Sequence, residues 1–166
     1  MKPAPAESER LVIDVARLDG EGESFRGEIP AAALDYDPDD FLFQPASGLR
    51  YNLFVQLMGA ELLVRGRAEE DFTCRCVRCC RPFDWTAADD EVAFSLEVAP
   101  DAFADLTEEL RECINLCFPS NPICGEDCKG LCPRCGADLN KGPCGCAPEG
   151  GDLRWGALDG LGSGGL

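Results

Sequence analysis

Histidine is absent from all 166 residues. That lack excludes Ser-His and Cys-His nucleophile pairs, and any zinc site of mixed cysteine and histidine ligands. Long apolar runs are also missing. No stretch approaches the roughly 20 residues of a membrane span, so no transmembrane helix and no membrane partner are expected. The opening "MKPAPAESER" has no apolar core of the kind a secretory signal carries. The default compartment is then a reducing cytoplasm, where clustered cysteines point to metal ligation or redox chemistry before structural disulfides. Positive charge is scarce, with 15 Lys and Arg against 31 Asp and Glu and a formal charge of -16. Such a chain is poorly suited to wrapping a phosphate backbone and better suited to holding something basic, although much of the acid is ordinary solvated surface. No acid–base spacing and no phosphate-binding loop stands out, so a hydrolase or other enzyme with a small-molecule substrate is not expected.

What is present begins with alternation. Apolar residues make up 45% of the chain, enough for a core in its first two-thirds. Residues 1–9 read as a disordered tail. "RLVIDVARL" (10–18) sets Leu11, Ile13 and Val15 against Arg10 and Asp14, the period of a strand. Residues 19–50 mix acids, glycine and proline and hold one or two short strands at most. "YNLFVQLMG" (51–59) places Leu53, Val55 and Leu57 on one face. After a turn near Gly59, residues 61–76 send Leu62, Val64, Gly66, Ala68, Phe72 and Cys74 inward. Arg65, Arg67, Glu69, Asp71, Thr73 and Arg75 face water, and Glu70 breaks the pattern as a bulge would. "EVAFSLEV" (91–98) repeats the alternation with Val92, Phe94, Leu96 and Val98 inward. These runs predict an antiparallel meander with one buried face. The period then changes. "DLTEELRECINLCF" (105–118) aligns Leu106, Leu110, Cys113, Ile114 and Cys117 on one helical face. Asp105 and Glu108 are spaced as a capping box, and Pro119 and Pro122 end the helix.

Residues 124–146, "CGEDCKGLCPRCGADLNKGPCGC", hold six of the twelve cysteines and almost no apolar sequence. A segment of that kind folds only if something staples it. Cys132-Pro-Arg-Cys135-Gly has the form of a zinc knuckle, in which two thiolates two residues apart chelate one ion. Zinc takes four such ligands at about 2.3 Å. The other two come from Cys124, Cys128, Cys144 or Cys146. Free buried thiols are a poor alternative, since too little apolar sequence lies nearby to bury six of them. A second pair, Cys76-Val-Arg-Cys79, sits at a strand end and admits three readings: a second metal site, a packed structural pair, or a redox couple. The last normally wants a βαβ setting that is missing here. Cys74, Cys113 and Cys117 lie in inward phases and read as small core residues; Cys80 is ambiguous. With those four set aside, eight cysteines remain. Eight fit two four-cysteine sites, and one site is the reading adopted. Arg75, Arg78 and Arg81 make the one locally basic spot, either a plain solvated face or a phosphate contact.

These residues resemble a known family. "CVRCCRPF" at 76–83 resembles the Cys-x-Arg-Cys motif of the YceD-like proteins, the large ribosomal RNA subunit accumulation proteins. The succession that follows, through "EELRECINLCFP", "CKGLCPRCG" and "CGC" to "DLRWGALDGL", is similar to that family from about residue 51 to 161. The resemblance implies a non-enzymatic, cytoplasmic factor in large ribosomal subunit biogenesis. It would support 23S rRNA accumulation and bind a basic ribosomal protein, large-subunit rRNA, or both. The competing reading is a thiol-based redox or zinc-release sensor. The expected architecture is α+β: an antiparallel β-sheet meander with one main amphipathic helix and a C-terminal Cys-rich, zinc-ribbon-like segment. The expected layout is a tail at 1–9, an α+β domain at 10–122, a zinc-binding segment at 123–150, and a short helix with a flexible tail at 151–166.

Overall fold

A computed structural model describes residues 9–18 and 20–146. The expected tail at 1–9, apart from Glu9, and the expected helix and tail at 151–166 lie outside the described residues. The chain divides into two compact units, Met1–Cys128 and Lys129–Leu166. The division falls after Cys128 rather than near residue 122, for a reason that lies in the cysteines.

The first unit is α+β. Its strands are β1 (Val12–Asp14), β2 (Glu23–Ile29), β3 (Phe43–Pro45), β4 (Leu49–Met58), β5 (Glu61–Arg75), β6 (Pro82–Glu97) and β7 (Phe103–Asp105), followed by α1 (Thr107–Leu116). Strands β4, β5 and β6 form the antiparallel meander, with β2 beside β4 and β3 extending the β4 edge along the far half of β5. Alternation places Leu53, Val55, Leu62, Val64, Ala68, Phe72 and Cys74 inward, all buried. The helix lays Leu106, Leu110 and Ile114 onto that face, with Cys113 and Cys117 at its margin. Burial of this order, at about 25 cal/mol per Å² of apolar surface, is what holds the unit together.

Several features depart from the sequence expectation. The first strand is only three residues long and pairs with β7; Val15–Arg17 turn into a short 3-10 helix. Asp105 belongs to β7 rather than to a capping box. Its carboxylate accepts the Thr107 N–H at 3.0 Å and pairs with Arg10, while Glu108 pairs with Arg111. Strand β6 starts at Pro82, nine residues before the expected run at 91–98. The cause is a bulge. Between the pairs Gly66↔Val92 and Ala68↔Asp89, Asp90 and Glu91 stand opposite Arg67 alone. One extra residue reverses the inward phase. Phe83, Trp85 and Ala87 face in at odd positions, and Val92, Phe94 and Leu96 at even ones. Gly66 permits the close approach beside the bulge, since a Cβ there would lie 2.2 Å from the Asn52 carbonyl oxygen.

Glu70 is therefore not a bulge. It keeps the inward phase of β5 and is fully buried. The Tyr36 hydroxyl donates to its Oε2 at 2.6 Å, and its Oε1 has no hydrogen-bond partner among the described residues. Burial pushes this carboxyl up to about 7, against smaller opposing effects from Tyr36 and Arg50.

Candidate metal centres

The route from the core to the first centre runs through Phe118. Its ring stacks on Phe43 at 4.4 Å and meets Phe72 and Trp85 edge-on or tilted, at 4.9 and 5.7 Å. That cluster anchors the chain just as α1 ends. Pro119 and Pro122 have no N–H with which to resume the helix, and the Pro122 carbonyl accepts the Val77 N–H at 2.9 Å. This bond ties the segment carrying Cys124 and Cys128 to the turn between β5 and β6 that carries Cys76 and Cys79.

The four sulfurs meet there. Cys76 and Cys128 are 3.8 Å apart and Cys79 and Cys124 3.6 Å apart, and all four lie within 4.8 Å of one another. Four sulfurs at about 2.3 Å from a tetrahedral ion stand about 3.8 Å apart, so the spacing suits such an ion. Cys76, Cys79 and Cys128 are buried and Cys124 is half-buried. Burial raises the Cys76 thiol, but backbone N–H groups of Cys124, Cys79 and Arg78 outweigh it and bring the thiol down to about 6. Cys79 is eased by the Arg81 N–H, yet burial and the crowding thiols push it up to about 12. Four thiols so close cannot all ionise by themselves, and a dication is what lets them.

The second centre lies wholly in the second unit. Cys132, Cys135, Cys144 and Cys146 also place their sulfurs within 4.8 Å of one another. A minimal hairpin supports the first two. Leu131 bridges to Asp138, and the Leu139 N–H donates to the Gly130 carbonyl at 3.0 Å. Cys132 is brought down to about 6 by the backbone N–H groups of Cys135 and Arg134. Cys146 is pushed up to about 12, most of all by the neighbouring Cys135 thiol.

The two knuckles share one backbone. In each, the first cysteine's N–H donates to the carbonyl five residues on: Cys76 to Arg81 at 3.0 Å, and Cys132 to Ala137 at 2.8 Å. In each, its carbonyl accepts the N–H four residues on, Cys80 or Gly136, both at 2.9 Å. That fourth residue has positive φ, 71° at Gly136 and 58° at Cys80. Cys80 thus stands in the left-handed turn position that glycine fills in the other knuckle, with its thiol exposed. Its role was legible from aligning "CVRCC" with "CPRCG".

The expected ligands are thus all brought together, but in two sets of four rather than one. Cys124 and Cys128 join Cys76 and Cys79, and Cys132 and Cys135 join Cys144 and Cys146. This is why the unit boundary falls after Cys128. The three arginines close in on the first set. Arg75 donates to the Cys80 carbonyl at 3.1 Å, Arg78 to the Cys128 carbonyl at 3.2 Å, and Arg81 to the Cys124 sulfur at 3.3 Å. Cys74 is a buried core residue.

Comparison with known proteins gives a consistent picture. A family model described as "Large ribosomal RNA subunit accumulation protein YceD" matches residues 86–162. That stretch contains α1 and all six cysteines from Cys124 to Cys146 and begins after Cys76 and Cys79. An uncharacterized protein of Mycobacterium tuberculosis is 30% identical over 179 residues, covering 89% of this chain and 79% of the relative. The chloroplastic large ribosomal RNA subunit accumulation protein YCED homolog 1 of Arabidopsis thaliana is 35% identical over 77 residues, and that of Zea mays 38% over 67. The matched segments span 23% and 21% of those plant proteins, so the chain corresponds to under a quarter of their length. No solved structure matches. Among the described residues, no helix is long and apolar enough to cross a membrane.

Proposed function

The chain belongs to the YceD-like family, and we propose that it acts as a non-enzymatic factor in large ribosomal subunit biogenesis, supporting 23S rRNA accumulation from the cytoplasm. The family match over 86–162 carries this reading. Both tetrads are zinc sites in it. All-thiolate donors are soft, and their tetrahedral spacing suits zinc better than oxygen-seeking cations. Zinc would be structural here: it would let four thiolates share one small volume and supply folding energy to loops that have little core of their own.

The direct partner in this reading is a basic ribosomal protein. Each zinc with four thiolates contributes a net charge of -2, so two sites take the chain from -16 to about -20. In the Arg75, Arg78 and Arg81 patch, the sequence's candidate for an rRNA contact, Arg78 and Arg81 direct guanidinium hydrogen bonds into the first cysteine set and Arg75 bonds the adjoining Cys80 carbonyl. That engagement favours the protein partner over the nucleic acid. A second reading, a thiol-based redox or zinc-release sensor, draws support from the exposed Cys135 in the second set.

The test is capture of partners by the tagged, zinc-loaded full chain from ribosome-containing lysate, with and without ribonuclease. A basic large-subunit protein retained after ribonuclease treatment is the expected result. Tight binding of naked large-subunit rRNA, abolished by the triple change Arg75/Arg78/Arg81→Gln with zinc content unchanged, would overturn the protein-partner reading.

A further inference from the structure

The two cysteine sets are built to different standards. In the first, Cys76 is 1% exposed, Cys79 7% and Cys128 8%. Its arms hang on the ends of β5 and β6 and on the chain that the Phe118 ring cluster locks down. Both knuckles give their first cysteine's sulfur backbone N–H bonds, and the first set adds a guanidinium, with Arg81 donating to the Cys124 sulfur at 3.3 Å. Hydrogen bonds to thiolates offset the charge a tetrathiolate ion carries and hold the ligands in place. In the second set only Cys132 is buried; Cys135 is exposed, and Cys144 and Cys146 are half-buried. Little else among the described residues holds the arm bearing Cys144 and Cys146. Among the described residues, none of 142–146 makes a backbone–backbone hydrogen bond, and Pro143 has no N–H to give.

From this contrast we propose that Cys132, Cys135, Cys144 and Cys146 form an exchangeable site for thiophilic cations such as Zn²⁺, while the Cys76, Cys79, Cys124 and Cys128 site keeps its ion as part of the folded sheet unit. The inference rests on the reading of both sets as zinc sites. Losing a ligand from the first set means pulling on strand ends and a locked aromatic cluster. Losing one from the second means swinging out a short arm whose folding the metal itself supplies. An incoming chelator can reach the ion of the second set beside the exposed Cys135. The step is ligand substitution without electron transfer. Zn²⁺ passes from four thiolates to the chelator, and the freed thiolates take up protons from water or bind another cation. The second set is then the element through which the chain would respond to free metal, with the sheet unit intact.

The experiment uses the zinc-loaded full chain at neutral pH with excess 4-(2-pyridylazo)resorcinol, which colours as it takes up zinc. Two equivalents should leave in two phases of equal amplitude, the first about tenfold faster or more, equivalent to about 1.4 kcal/mol of barrier. N-ethylmaleimide added at the end of the fast phase, followed by peptide mapping, should mark Cys132, Cys135, Cys144 and Cys146 and spare Cys76, Cys79, Cys124 and Cys128. The exposed Cys80 serves as a label control. Arg81→Ala should speed the slow phase several-fold and leave the fast phase unchanged. Release of both equivalents in one phase, or labels appearing first on the Cys76 set, would overturn the inference while leaving the zinc reading standing. Zinc missing from the native protein altogether would sink both.

Discussion

Glu70 offers the sharpest test of the core. Its carboxyl is fully buried on the inward face of β5, and burial raises it from 4.5 to about 7. A carboxyl whose folded-state value lies above its unfolded value binds its proton more tightly when folded. It therefore contributes stability in full below about 4.5 and loses that contribution as pH rises through about 7. The carboxyl's rise from 4.5 to about 7 corresponds to roughly 3 kcal/mol. Glu70→Gln removes the titration and keeps both the shape and the acceptor for the Tyr36 hydroxyl. The assay is urea unfolding of wild type and variant from pH 5 to pH 8.5, with unfolding free energies compared at each pH. The comparison cancels the cysteine sites, whose proton competition with metal has the opposite sign. The wild type should lose ground steadily against the variant, by roughly 2–3 kcal/mol across the range, with most of the change finished near pH 7.5. A difference between the two proteins that does not vary with pH would refute the buried, protonated carboxyl.

Leu110 is fully buried between α1 and the sheet, and Leu110→Ala should cost about 2–5 kcal/mol in urea unfolding; a loss typical of surface positions would show that the helix does not pack there. Gly66→Ala would drive a methyl into the Asn52 backbone beside the bulge and should cost about 2 kcal/mol or more, read as a fall in Tm. Cys132→Ser should reduce bound zinc from two equivalents to one and erase native amide dispersion across 130–146, while the β4–β5–β6 resonances stay in place. Loss of the sheet signals in that variant would refute the independence of the first unit.

Much of the architecture was legible because it is written in local periods. Alternation in 51–58 and 61–76 marks strands whatever they pair with, since side chains of a pleated strand must alternate. The face formed by Leu106, Leu110 and Ile114 marks α1 for the same kind of reason. The first half of β6 was hidden because the extra residue at Asp90–Glu91 reverses its phase, so no single period runs through 82–97. Glu70 was misread because a buried acid looks like a break in a pattern. Only the approach of Tyr36, from a segment 34 residues away, supplies the hydroxyl that accommodates it.

The cysteines divide in the same way. Spacing alone established that Cys132 and Cys135 form a chelating pair and that Cys76 and Cys79 can form another, because two residues between thiolates set their reach in any context. Which pairs share an ion was decided only in three dimensions. Cys124 and Cys128 lie close in sequence to Cys132, yet their sulfurs meet those of Cys79 and Cys76 across 45 and 52 residues. The stacked ring of Phe118 and the bond from Val77 to Pro122 carry them there. Local chemistry determines what a residue can bind; the path of the chain through the core determines what it meets.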